Sequence, residues 1–86
     1  MAIYKVRKRN GAIVSFDRSK IENAIKRAIE SVGGTDYNNI ESITDKIIEA
    51  VLSKVGNEIP DVEMIQDAVE QTLIKEGHDK VAKAYG

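Results

Sequence analysis

A chain of 86 residues, 42% hydrophobic and 31% charged with a net charge of −1, is long enough for one modest core and too short for two. It has no cysteine, which excludes disulfide frameworks, thiolate zinc sites and cysteine nucleophiles and fits a reducing compartment. No apolar run approaches the roughly 20 residues that span a bilayer, and Met1-Ala2-Ile3-Tyr4-Lys5 is too short and too charged for a signal peptide, so residues 1–86 read as one cytoplasmic domain with no membrane partner.

The chain opens with a β-hairpin. Ile3 to Lys8 and Ala12 to Phe16 are rich in β-branched and aromatic residues, and Asn10-Gly11 between them is a turn signal. Two registers are open. A two-residue Asn-Gly turn places Lys5 and Arg7 on the face of Val14 and Phe16. A three-residue loop, with Gly11 left-handed in a bulge, pairs Lys8 with Ala12, Val6 with Val14 and Tyr4 with Phe16. The second is preferred, because it gathers Tyr4, Val6, Val14 and Phe16 on one half-buried face.

Asp17 is a good N-cap for a helix whose apolar stripe runs through Ile21, Ala24, Ile25, Ala28, Ile29 and Val32 and stops at Gly33-Gly34. Thr35 to Asn39 is a polar loop. Ile40, Ile43, Ile47, Ile48, Val51, Leu52 and Val55 form a second helical stripe, closed by Gly56. Asn57 to Ile59 is extended ahead of Pro60 and is a candidate third strand. Asp61 caps a third helix with Val62, Ile65, Ala68, Val69, Thr72 and Leu73 inward, ended by Gly77. A short last helix opens at His78 or Asp79 and turns Val81, Ala82 and Tyr85 inward. The fold class is therefore α+β: a four-helix bundle capped by a small β-hairpin or three-stranded sheet.

Catalysis is hard to place on this chain. His78 is the sole histidine and sits at a glycine helix boundary, where a capping or surface role is the common one. The carboxylates of the second and third helices fall on outer faces, with no histidine partner to make a metal site. The charge distribution is more informative. Residues 1–27 carry eight basic side chains against Asp17 and Glu22, while the rest of the chain carries five basic and twelve acidic ones. A basic third on a neutral chain indicates a localised anion site and not a general nucleic-acid binder. In the preferred register Val6 and Lys8 share a face with Val14 and Phe16, giving apolar contact for a base and a cation for phosphates. Arg9 at the turn and Lys20 at the start of the first helix can close around a phosphate chain, aided by that helix's N-terminus. On composition alone the same run reads first as a solvated edge strand, where lysines protect against unwanted pairing.

The run Val6-Arg7-Lys8-Arg9-Asn10-Gly11, followed by Phe16-Asp17-Arg18-Ser19-Lys20-Ile21, resembles the ATP-cone, a nucleotide-sensing domain found at the N-terminus of many ribonucleotide reductases and in the repressor of their genes. Pro60 to Glu70 is similar to that family's third-helix motif, and Gly77 to Tyr85 to its terminal motif, so the resemblance covers nearly the whole chain in order. It implies a helical bundle with a sheet cap, and ATP or dATP bound between the two, with Mg2+ accompanying the triphosphate. Carried over by position, Lys8, Arg9 and Lys20 meet phosphates, Val6, Phe16 and Ile21 enclose base and sugar, and Gln66 on the third helix lies near the nucleotide. Two departures stand out. Many members have glutamate where this chain has Val14, which implies loss of a base contact. The family motif also runs on past Tyr85, so an end at Gly86 reads as an excised domain or a stand-alone member.

The leading functional reading is an allosteric regulatory domain, without an active site of its own, that binds ATP or dATP and belongs with a ribonucleotide reductase catalytic domain or subunit, with self-association as a further outcome. One alternative is a structural or protein-interaction module of the same fold that has lost nucleotide binding. A nucleic-acid-binding domain using Lys5 to Arg9 is the other, against which the acidic helices weigh.

Overall fold

In the computed structural model, which describes residues 3–34 and 37–85, β1 (Lys5–Arg7) and β2 (Ile13–Ser15) pair antiparallel with Val6 opposite Val14. The longer of the two connections is the one formed. Lys8 N donates to Ala12 O at 2.8 Å, Gly11 N donates to Lys8 O at 2.9 Å, and Gly11 takes a φ of +89°, a left-handed value that a side chain resists. Asn10 fixes the loop by accepting from Ala12 N through its side-chain oxygen at 3.0 Å. Phe16 N donates to Tyr4 O at 2.9 Å, which extends the ladder one pair beyond the strands.

The face expected to be half-buried is covered only in part. Val6 is buried and Phe16 partly so, but Val14 is 40% exposed and Tyr4 79% exposed. Tyr4 lies toward the open end of the hairpin, on the rim of a groove it shares with Leu52 and Pro60. The face left uncovered at Val14 borders the cleft described below.

Helix α1 (Arg18–Ser31) starts where Asp17 accepts a hydrogen bond from Ser19 N, and it buries Ile21, Ile25 and Ala28. It ends as Gly33 turns left-handed (φ +80°) and Gly34 N donates back to Ile29 O at 2.9 Å. Val32, the last member of the expected stripe, is the C-cap and is 42% exposed, because the chain leaves the helix there. The following loop was expected at 35–39; its residues 35 and 36 lie outside the described residues.

Helix α2 (Ile40–Val55) buries Ile40, Ile43, Ile47 and Val51, and also Thr44, which an apolar pattern omits. Thr44 is tolerated in the core because its hydroxyl donates to Ile40 O at 2.8 Å. Helix α3 (Val62–Lys75) starts at Asp61, whose carboxylate accepts from Met64 N at 2.8 Å, and buries Ile65, Ala68, Val69, Thr72 and Leu73. The expected third strand over 57–59 is not formed. The sheet has two strands among the described residues; Glu58 N donates to Val55 O at 3.0 Å in the turn after α2, and the chain meets the sheet only beyond this segment, where Pro60 O accepts from Arg7 N at 2.9 Å and Asp61 makes an isolated parallel bridge to Arg7. Pro60 has no N–H to return, and the chain enters the α3 cap one residue later, so a ladder cannot extend. Helix α4 (Asp79–Tyr85) follows Gly77 (φ +85°), where His78 N donates to Leu73 O at 2.7 Å, and buries Val81 and Ala82.

The four helices pack as a ring in which each touches its sequence neighbour and α4 returns to α1. Ile25, Ile47, Val51, Val69 and Leu73 are almost wholly enclosed at its centre. Each such side chain contributes roughly 1.5–3 kcal/mol of transfer free energy. In an up-and-down ring, alternate helices share an end. The starts of α1 and α3 therefore lie beside the end of α4, and the hairpin that feeds α1 sits over that same end.

Candidate functional site

That shared end contains a cleft of about 330 Å³. Val6, Lys8, Val14 and Phe16 line it from the hairpin, Asp17, Lys20 and Ile21 from the start of α1, Val62 and Ile65 from the start of α3, and Tyr85 from the end of α4. Of the residues expected at a site, Val6, Lys8, Phe16, Lys20 and Ile21 are brought together here. Arg9 and Gln66 are not on its wall. They meet each other beside it, Arg9 Nη2 donating to Gln66 Oε1 at 3.4 Å. Arg9 lines an adjoining groove of about 300 Å³ with Arg7, Asp61 and Glu63, and the two hollows share Lys8 and Val62.

The basic N-terminal third divides by partner. Arg18 is committed to α2, with Nη1 at 2.9 Å from Asp45 Oδ1 and a further hydrogen bond to Glu41 O, and the Asp45 carboxylate holds its guanidinium protonated to higher pH than usual. Lys26 lies over the Tyr37 ring, 5.3 Å from its centre. Arg9 pairs with Glu63 at 3.7 Å. Lys8 and Lys20, both in the cleft, form no ion pair among the described residues. The cleft thus offers two ammonium groups that form no ion pair, beside one carboxylate and an apolar lining, the arrangement that suits a ligand with an anionic end and a flat apolar end.

Asp17 tempers that field. Hydrogen bonds from the Ser19 hydroxyl (2.6 Å) and the Ser19 backbone (3.0 Å), with Lys20 nearby, hold its carboxyl below the ordinary range, so it stays ionised on the cleft wall. It also occupies the Ser19 amide, and its carbonyl accepts from Lys20 N. These first-turn amides of α1 are consequently engaged, and the anion-attracting work falls to the lysines. Tyr85, half-buried on the cleft wall, has its hydroxyl pushed up by burial and by Glu70, and is un-ionised near neutrality.

Asp17, Val62, Ile65 and Tyr85 join the wall without being expected there: the sequence marks them only as cap or stripe residues, and it is helix order that places the first turns of α1 and α3 and the last turn of α4 together.

A second hollow of about 330 Å³ lies at the other end of the bundle, lined by Ile25, Ile29, Ile40, Ile43 and Leu73 with His78, and without lysine or arginine. Among the described residues there is no cluster of three or more metal-ligating side chains, and no helix is long and apolar enough to cross a membrane.

Residues 4–86 match the family model described as the ATP cone domain. The chain is 40% identical over 81 residues to a vitamin B12-dependent ribonucleoside-diphosphate reductase of Mycobacterium tuberculosis, covering 94% of this chain and 11% of that protein. It is 35% identical over 88 residues to a ribonucleoside-diphosphate reductase subunit alpha of Chlamydia muridarum (91% and 8%), and 32% identical over 85 residues to an anaerobic ribonucleoside-triphosphate reductase of Haemophilus influenzae (99% and 12%). The chain therefore spans about a tenth of the length of these relatives.

Proposed function

The chain belongs to the ATP-cone family, and on that premise we propose that residues 1–86 form one cytoplasmic regulatory domain that binds ATP or dATP in the hairpin-end cleft and catalyses nothing itself. The observation that carries this reading is the convergence of Val6, Lys8, Phe16, Lys20 and Ile21, from the hairpin and α1, on one cleft whose two lysines outnumber its one carboxylate. Lys8 and Lys20 meet the phosphates. Val6, Phe16 and Ile21 enclose base and sugar, with Tyr85 on the cleft wall. Val14 presents no hydrogen-bonding group to a base, so base choice rests on shape and stacking. The cleft's one carboxylate, Asp17, is held by Ser19, so Mg2+ arrives with the triphosphate.

Regulation requires that the nucleotide favour one assembly state over another, and differences of this kind are typically about 1–3 kcal/mol. The partner in that equilibrium is a ribonucleotide reductase catalytic domain or subunit, or a second copy of the cone. Calorimetric titration with ATP and with dATP in excess Mg2+ tests the binding step. Saturable binding below millimolar concentration is expected; its absence for both nucleotides overturns the proposal. The exposed Tyr4 and Ile13 of the hairpin (79% and 45%) favour, as a second reading, an interaction module without a nucleotide. That module self-associates and gives no heat with either nucleotide.

A further inference from the structure

Arg9 sits where the hairpin loop meets α3. Its Nε lies 3.7 Å from Glu63 Oε1 and its Nη2 donates to Gln66 Oε1 at 3.4 Å. Glu63 and Gln66 are three residues apart on α3, hence neighbours on one face. The groove that Arg9 and Glu63 line joins the cleft through the shared Lys8 and Val62. The cleft therefore holds unpaired lysines, while the groove beyond Lys8 holds an arginine that already has partners. A phosphate chain that starts in the cleft passes Lys8 before it reaches Arg9. The first phosphate meets an available cation, and a distal one meets an occupied cation.

We propose that the Arg9–Glu63–Gln66 contact is a clasp opened by the distal phosphates of a bound nucleotide, so that Glu63 sets how steeply affinity depends on phosphate number. This rests on the cleft being a nucleotide site. The Arg9 and Glu63 side chains are both 71% exposed, so their ion pair is weak and easily exchanged. A guanidinium–phosphate contact is charge-assisted and can be bidentate, and it replaces a long, single-point carboxylate contact. Once displaced, Glu63 returns to water at little cost. A single phosphate held at Lys8 and Lys20 does not require this exchange.

The test is titration of the chain with AMP, ADP and ATP at fixed ionic strength and excess Mg2+, for the unsubstituted protein, Glu63→Gln, Arg9→Ala and the double variant. Melting curves confirm folding, and both positions are exposed. Glu63→Gln is expected to tighten ATP by about two- to fivefold, the range for losing an exposed ion pair, with AMP unchanged and the gain abolished when Arg9 is alanine. A gain equal for AMP and ATP, an ATP affinity unchanged or weakened by Glu63→Gln, or a gain that survives Arg9→Ala each overturns the clasp while leaving the nucleotide site intact. No binding of any nucleotide by the unsubstituted chain overturns both.

Discussion

Lys20→Ala and Arg18→Ala each remove one positive charge from the same turn of α1, and they should act on different properties. Arg18 is tied to Asp45, Glu22 and the Glu41 carbonyl, whereas Lys20 lines the cleft without an ion pair among the described residues. If Lys20 binds phosphate, its removal costs a charge-assisted hydrogen bond, about 1.5–3 kcal/mol, or roughly a 10- to 150-fold rise in the ATP dissociation constant. The thermal midpoint should hardly move, because an exposed lysine without a partner contributes little to folding. Arg18→Ala should do the reverse. Its side chain is 40% exposed and its Asp45 partner 61% exposed, so solvent screening limits the stability loss to about 1 kcal/mol or less. Its effect on ATP is confined to long-range attraction, which decays over about 8 Å at physiological ionic strength and leaves a change under about threefold. Calorimetry at constant salt with thermal melts of the same samples measures both quantities. Equal losses of ATP affinity in the two variants would mean that the basic third attracts anions diffusely, and would refute a defined site at Lys20.

Other outcomes follow from the fold. Leu73→Ala in the centre of the ring should destabilise the domain by about 2–5 kcal/mol in urea titration, through lost transfer energy and the cavity left behind; a change under about 1 kcal/mol would contradict the packing described. Gly11→Ala meets no steric neighbour but forces a side chain to φ +89°, costing about 1 kcal/mol and raising amide exchange in the hairpin. Unchanged exchange would count against the left-handed loop. Asp17 and Glu76 have carboxyls lowered by Ser19 and by Lys46 respectively, so each contributes stability above its ordinary range that is lost as pH falls through the native value, below about pH 4. Asp17→Asn combined with Glu76→Gln should flatten the acid limb of the stability curve, and an unaltered limb would exclude both as its source.

Hairpin register was legible from the chain because only one pairing puts Val6 and Phe16 on a common face, and Gly11 is placed to make the loop that this pairing needs. Helix limits were legible where a side-chain cap or a glycine marks them, as at Asp17, Asp61, Gly33 and Gly77. Less legible were features that depend on where one element stops relative to another. Tyr4 fits the inward pattern of the hairpin, yet it stays mostly in solvent on the rim of a groove beside Leu52 of α2. Thr44 breaks its helix's apolar pattern, yet it is buried because a carbonyl one turn back accepts its hydroxyl proton. Asn57 to Ile59 reads as extended because it precedes Pro60, but Glu58 N donates back to Val55 O in the turn that closes α2, and the contact with the sheet is made one residue later by Pro60 O. For the candidate site, residue type and turn position picked out Val6, Lys8, Arg9, Phe16 and Lys20 only as one of two readings, the other being a solvated edge strand, and Ile21 and Gln66 came from the family resemblance. That Arg9 and Gln66 lie beside the cleft and not on its wall needed the structure, since their mutual contact across 57 positions holds the guanidinium in the adjoining groove.

Two hollows of similar volume lie at opposite ends of the bundle, and only the hairpin-end one carries lysines. Amide chemical-shift mapping during titration with ATP and Mg2+ distinguishes them directly. Saturating shifts should appear at Lys8, Phe16, Lys20, Ile21 and Tyr85, with Ile29, Gly34 and Ile43 unmoved. Shifts concentrated on Ile29, Gly34 and Ile43, or no saturating shift at any residue, would contradict the account.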